Sequence, residues 1–255
     1  LRRGELVTLT AGSGIGKSQI CREIAHWLVQ SGQSVGYIAL EESVRRTVLG
    51  MLGIHVSKPL HLEMSVSEEQ LKEAFDEVIG GGQFFTYDHF GSIESSNLLN
   101  RIRYMVHGCG CNWIILDHLS IVVSAFGDGD ERRLIDSVMT KLRSLVEELK
   151  IGIILVSHLK RPDGRGHEEG AATSLSQLRG SAGIAQLSDM VLGLERNQQD
   201  EQNKHTTRVR VLKNRFSGET GLACSLGYNP QEGRLREVHT EPETSDQFDN
   251  KKQEF

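Results

Sequence analysis

Two periodicities alternate along the chain. Strand-like runs occur at Glu5–Thr10, Ser34–Leu40, Phe84–Asp88, Trp113–Leu116, Gly152–Ser157, Met190–Glu195 and Thr207–Asn214. Several are apolar throughout, as parallel strands covered on both faces are. Between them the apolar residues fall at helical spacing. In Asp130–Leu149, the positions Leu134, Ile135, Val138, Met139, Leu142, Leu145, Val146 and Leu149 share one helix face. Ser67-Glu68-Glu69-Gln70 has the form of a capping box at another helix start. Strand, helix, strand repeated in this way predicts an α/β fold, a doubly wound and mainly parallel sheet. The stretch Gly218–Arg236 reads instead as antiparallel strands with a turn around Asn229-Pro230. Lys160–Ser176 is Gly-rich and charged, and Arg196–Thr206 is polar without a period, so both read as loops. No internal repeat is visible. The periodic pattern ends near Glu237, which predicts one domain over 1–239 and a disordered tail over 240–255.

Length and composition fit this picture. A chain of 255 residues, 38% hydrophobic and 25% charged, suits one large soluble domain with a sizeable core. The longest apolar runs, such as Ile151–Val156, are too short to span a bilayer, and no signal-peptide pattern opens the chain. Cys21, Cys109, Cys111 and Cys224 lack zinc-ligand spacing, so they read as free thiols in a reducing, cytoplasmic compartment. The net charge of −5 argues at first against a nucleic-acid partner. Its location changes that picture. Glu241, Glu243, Asp246, Asp249 and Glu254, against Lys251 and Lys252, concentrate three of the five net negative charges in the tail. The body is nearly neutral and can carry a local basic groove.

The candidate chemistry lies at strand ends. Ala11-Gly12-Ser13-Gly14-Ile15-Gly16-Lys17-Ser18 stands between a predicted strand and a predicted helix, the context a phosphate-binding loop needs. Gly12, Ser13, Gly14 and Gly16 let successive N–H groups point inward, Lys17 would neutralise the β and γ phosphates, and Ser18 would ligate Mg²⁺. The first position of the pattern is Ala11 rather than Gly. Asp117 ends an apolar strand and would hold the same Mg²⁺. Ser34–Leu40 ends in Glu41-Glu42, either of which could orient the attacking water; the other reading makes both solvated residues at a helix start. His158 follows another strand and is either a γ-phosphate sensor or a structural histidine. Lys213 and Arg215 leave one face of a strand, either as a cationic pair for a neighbour's phosphates or as an ordinary solvated face.

Further segments, taken with these, resemble the helicase half of the bacteriophage T7-type primase–helicases, within the DnaB and Twinkle group of replicative helicases. They are Leu40-Glu41-Glu42-Ser43, the run Ile115 to Ser124, Ser157-His158-Leu159-Lys160, His167-Glu168-Glu169-Gly170, Leu178-Arg179-Gly180-Ser181, Leu194 to Gln199 and Leu212-Lys213-Asn214-Arg215-Phe216. The resemblance runs along nearly the whole chain. It implies a RecA-like domain working in a hexameric ring, moving along single-stranded DNA from 5′ to 3′ in the family's manner, at the expense of ATP or dTTP. It implies Glu41 as catalytic base, His158 as phosphate sensor, Arg215 as a finger supplied in trans with Lys213 beside it, and Arg196 with Tyr228 around the nucleotide base. The DNA-facing loops would supply Lys160, Arg161 and Arg165, then Arg179, Gly180 and Ser181. Arg161 stands where the phage pattern has a small polar residue. The acidic tail ending in Phe255 would contact the replicative DNA polymerase. No primase domain or preceding linker helix is present, which implies a domain of a longer protein. The rival readings are a RecA- or KaiC-like ATPase, and a nucleotide-binding assembly protein without helicase activity.

Overall fold

The computed structural model describes residues 1–88, 95–119, 131–160, 165–178 and 182–239. Its strands are β1 (Leu6–Ala11), β2 (Val35–Ala39), β3 (Phe84–Thr86), β4 (Trp113–Asp117), β5 (Gly152–His158), β6 (Met190–Glu195), β7 (Thr206–Asn214), β8 (Gly221–Asn229) and β9 (Arg234–Val238). The helices are α1 (Lys17–Gln30), α2 (Val44–Val56), α3 (Glu68–Phe75), α4 (Ser95–His107), α5 (Glu131–Leu149) and α6 (Ala182–Leu187). One nine-stranded sheet runs in the order β3-β2-β4-β5-β1-β6-β7-β8-β9. The strands from β3 to β6 in that order are parallel, and β7, β8 and β9 continue it antiparallel.

Alternation along each central strand divides the core into two layers. Ile38, Ile114, Leu116, Ile153 and Leu155 face the layer filled by Ile102 of α4 and by Ile135, Val138, Met139, Leu142, Leu145 and Val146 of α5. Tyr37, Trp113, Ile115, Ile154 and Val156 face the other layer, filled by Cys21, Ala25 and Leu28 of α1 and by Met51 and Leu52 of α2. Burying both faces is the reason β2, β4 and β5 read as unbroken apolar runs. The expected apolar face of 130–149 is therefore the face α5 presents to the sheet. The capping box is present at α3: Gln70 N–H donates to Ser67 Oγ at 3.2 Å, and Ser67 N–H donates to Gln70 Oε1 at 3.1 Å.

The two edges of the sheet carry different candidate residues. The loop after β1 leaves the carboxyl edge, between β5 and β6. At β7 the chain turns back, and its last residue, Asn214, pairs with Met190, the first of β6. The residues just after β7 therefore lie at the amino edge. There Arg215 N–H donates to Asp189 O at 2.8 Å, and Asp189 N–H donates to Leu6 O at 2.8 Å. Arg215 thus sits beside the start of β1, and the Gly-rich loop begins at its far end, roughly 17 Å away along the strand.

Candidate nucleotide site

The loop Ala11–Ser18 joins β1 to α1, and its glycines have separate reasons. Gly14 and Gly16 have φ of 71° and 102°, a left-handed backbone where a side chain would be strained. Gly12 is required for space, because a Cβ there would stand 2.5 Å from His167 Cβ. Gly16 is also the N-cap of α1, so the loop presents a helix N-terminus to the cavity. Lys17 starts that helix and is buried, with Nζ donating to Gly12 O at 2.8 Å and Ala11 O at 3.3 Å. Burial lowers its pKa, opposed by the charges of Asp117 and Glu41.

Adjacent strand ends supply the remaining groups. Ser18 Oγ donates to Asp117 Oδ2 at 2.6 Å, bringing a hydroxyl and a carboxylate together at the mouth of the loop. Burial raises the pKa of Asp117, against the Ser18 hydrogen bond and the charge of His118 that lower it. A buried carboxylate of this kind, next to a hydroxyl and near further carboxylates, is a hard-oxygen set that fits Mg²⁺; Ser18 and Asp117 would hold it. Of the two candidate bases, Glu42 is engaged in the fold. It accepts from Arg22 at 3.0 Å and from Thr47 Oγ1 at 2.9 Å, and Arg46 lies 3.6 Å away. Glu41 instead lines the cavity, with its side chain 51% exposed. His118 Nε2 contacts Glu41 Oε1 at 2.6 Å. The His118 and His158 rings meet edge to face with centroids 4.3 Å apart.

These groups border a cavity of about 400 Å³ that includes Ser13 to Ile20, Glu41, His158, Arg196 and Tyr228. Tyr228 reaches it because the β8–β9 hairpin is clamped to α1. Gln19 Nε2 donates to Gly233 O at 2.9 Å, and Leu235 N–H donates to Glu23 Oε1 at 2.8 Å. Arg196 follows β6 and donates from Nη2 to Gly14 O at 3.1 Å; burial lowers its pKa. Three residues to which the sequence reading gave no role also belong here. Gln198 donates to Gly14 O at 2.9 Å, His61 lines the cavity, and His118 stands beside Asp117. Two of them had a sequence signal, since His118 and Gln198 lie within segments that carry the family resemblance.

Other candidates lie elsewhere. Lys213 and Arg215 do share a face, as their spacing predicts, and both turn onto the C-terminal end of α6 and the residues that follow it. Lys213 Nζ donates to the carbonyls of Ala185, Gln186 and Ser188 at 2.6, 3.1 and 2.7 Å. Arg215 Nη1 meets Asp189 Oδ1 at 3.1 Å and Nη2 donates to Gln186 O at 2.9 Å, with its side chain still 52% exposed. Neither borders this cavity. Lys160 and Arg165 are exposed beyond β5. Arg161, Arg179, Gly180, Ser181 and the tail to Phe255 lie outside the described residues. The four cysteines are free. Among the described residues, no helix is long and apolar enough to cross a membrane.

Comparison with known proteins places this geometry. Residues 1–237 match the DnaB-like helicase C-terminal domain family. The chain is 42% identical over 241 residues to the DNA helicase/primase of Enterobacteria phage T3, covering 92% of this chain and 42% of that protein. It is 29% identical over 251 residues to a probable plasmid replicative DNA helicase of Chlamydia psittaci, covering 92% of this chain and 52% of that one. The chain thus spans about half, or less, of the length of these curated relatives. Among solved structures it resembles a DnaB-like replicative helicase whose interactions with primase are described, with a TM-score of 0.76 at 20% identity over 92% of this chain and 57% of that one. The fold is thereby the RecA-like one that the sequence implies.

Proposed function

This chain belongs to the DnaB-like helicase C-terminal domain family, and from that premise we propose that it is the motor of a replicative DNA helicase. It hydrolyses a nucleoside triphosphate, ATP or dTTP, with Mg²⁺ at Ser18 and Asp117, and the work drives movement along single-stranded DNA and duplex unwinding. Lys17 and the N–H groups of the loop bind the phosphates, while Arg196 and Tyr228 flank the base. Glu41 takes the proton of the attacking water. His158 contacts the γ-phosphate. Mg²⁺ supplies charge neutralisation at the transferred phosphoryl group.

The observation that carries the reading is the separation of Lys17 and Arg215 onto opposite edges of the sheet. Arg215 cannot reach its own phosphates, and its exposed guanidinium suits those of an adjacent copy. A head-to-tail contact of this kind closes into a ring when the rotation permits, here a hexamer. Lys160, Arg161, Arg165, Arg179, Gly180 and Ser181 would face the DNA inside it. The acidic tail with Phe255 would dock on the replicative polymerase, in the host cytoplasm. Mixing tests the trans arrangement. Lys17→Ala and Arg215→Ala are each expected to lose hydrolysis by about 100-fold or more. In mixtures, interfaces that pair an intact loop with an intact Arg215 should recover part of the turnover. No recovery at any ratio would sink the arrangement.

A further inference from the structure

Glu41 follows β2 on a segment that has left the sheet, and half of its side chain is exposed. A glutamate there has three rotatable bonds and many rotamers of similar energy. In this structure one of its oxygens is held. His118 Nε2 lies 2.6 Å from Glu41 Oε1, and a carboxylate only accepts, so the imidazole donates. Oε2 is left to receive a proton from water.

The donor is itself fixed. His118 follows the last residue of β4 and is 4% exposed. Its ring meets the ring of His158 edge to face, 4.3 Å between centroids at 84°. His158 is the last residue of β5 and borders the cavity. The strands β2, β4 and β5 are neighbours in the sheet. Their carboxyl ends therefore bring Glu41, His118 and His158 together, with one ring nitrogen or carboxylate oxygen from each within 4.8 Å of the others. Packed rings transmit displacement because neither can move into the other.

We propose that His118 is a positioning residue for hydrolysis: its N–H holds the Glu41 carboxylate in place for the attacking water, and its contact with His158 ties that placement to the γ-phosphate. The inference rests on the reading of Glu41 as base. No proton leaves His118 in the step; the water proton goes to Glu41 Oε2. Ordering one glutamate side chain in advance is worth roughly tenfold in rate, and more where the angle of attack is set as well.

Four variants of the full chain test this: His118→Leu, His118→Gln, Glu41→Gln and the double variant Glu41→Gln with His118→Leu. Steady-state and single-turnover hydrolysis are measured with Mg²⁺ and single-stranded DNA, and nucleotide affinity with a fluorescent analogue. His118→Leu should lower kcat about 10- to 100-fold, with KM and affinity within about threefold of the parent. His118→Gln presents an amide N–H where the imidazole Nε2 stood, and should recover most of the loss. The double variant should turn over no more slowly than Glu41→Gln alone, because a residue acting through Glu41 has nothing left to position. A merely structural role would lower affinity, resist rescue by Gln and add to the Glu41→Gln loss. Any of those results, or an unchanged kcat in His118→Leu, overturns the inference. Wild-type turnover in Glu41→Gln would overturn the base assignment and the inference with it. A dead Glu41→Gln beside an unaffected His118→Leu would overturn the inference alone.

Discussion

Glu42 shares its carboxylate between Arg22 and Thr47, and its side chain and that of Arg22 are 11% and 7% exposed. Removing one partner of a pair buried this deeply leaves the other charge uncompensated. Glu42→Ala is therefore expected to cost about 3–5 kcal/mol of stability, whereas Glu41→Gln, altering a half-exposed side chain, should shift it by less than about 1 kcal/mol. Urea unfolding of the two variants measures both. Equal losses would contradict the division of roles. From the local pattern alone the two neighbours could not be told apart, and only the family resemblance pointed to Glu41. Strand alternation says only that they point in different directions. The difference comes from Arg22, on a helix twenty positions earlier, and no local pattern announces that partner. The Gly-rich loop is the opposite case, because its conformation lies in the local backbone. Gly14 and Gly16 are needed for their φ wherever the loop occurs. The role of Gly12 was hidden, since it depends on His167, which is brought close only by the fold.

Among the elements, strands and helices were legible because the two-sided burial of the sheet is written as apolar runs, and α5 as a single stripe. Contacts between elements were less so. The hairpin β8–β9 was visible as turns and strands, but its clamp on α1 through Glu23 and Gln19 was not, and that clamp brings Tyr228 to the cavity. The packing of α1 on α2 has a pH dependence of its own. His26 Nε2 and His55 Nδ1 are 3.3 Å apart. Burial, with the charges of Arg234 and His55, lowers the His26 pKa from 6.5 to about 4. The unfolded chain therefore takes up this proton near pH 6.5, and the folded chain only near pH 4. The stability contributed is present above pH 6.5 and is lost as the pH falls towards 4. His26→Gln should flatten the fall of the urea midpoint across that window. An unchanged pH profile would show that this histidine does not titrate as its surroundings require.

At the scale of the whole molecule, the charge is divided by region. Lys160, Arg161 and Arg165 follow β5, whereas five acids lie in the final fifteen residues. If the basic loop neutralises DNA phosphates, single-strand affinity should fall with a log–log salt slope of roughly −0.7 per contact. Replacing all three by Ala should flatten that slope by about two units, and an unchanged slope would put the DNA path elsewhere. Deleting residues 240–255 should spare hydrolysis while weakening binding to the cognate polymerase, most strongly at low salt. Equal binding by the full and shortened chains would leave the tail without that partner.

The two edges of the sheet carry a further consequence for assembly. If Arg215 serves the phosphates of an adjacent copy, as proposed, each copy offers a nucleotide site at one edge and an arginine at the other, and two copies in contact create a single complete site. An open arc always has one fewer complete site than it has subunits, and its last phosphate loop lacks an arginine. Closing the arc adds a site without adding a subunit. Turnover per chain should therefore rise with concentration in two stages, gradually as arcs lengthen and then abruptly when the ends meet. On that proposed arrangement, the strand turning back at β7 would make ring closure itself an activating event.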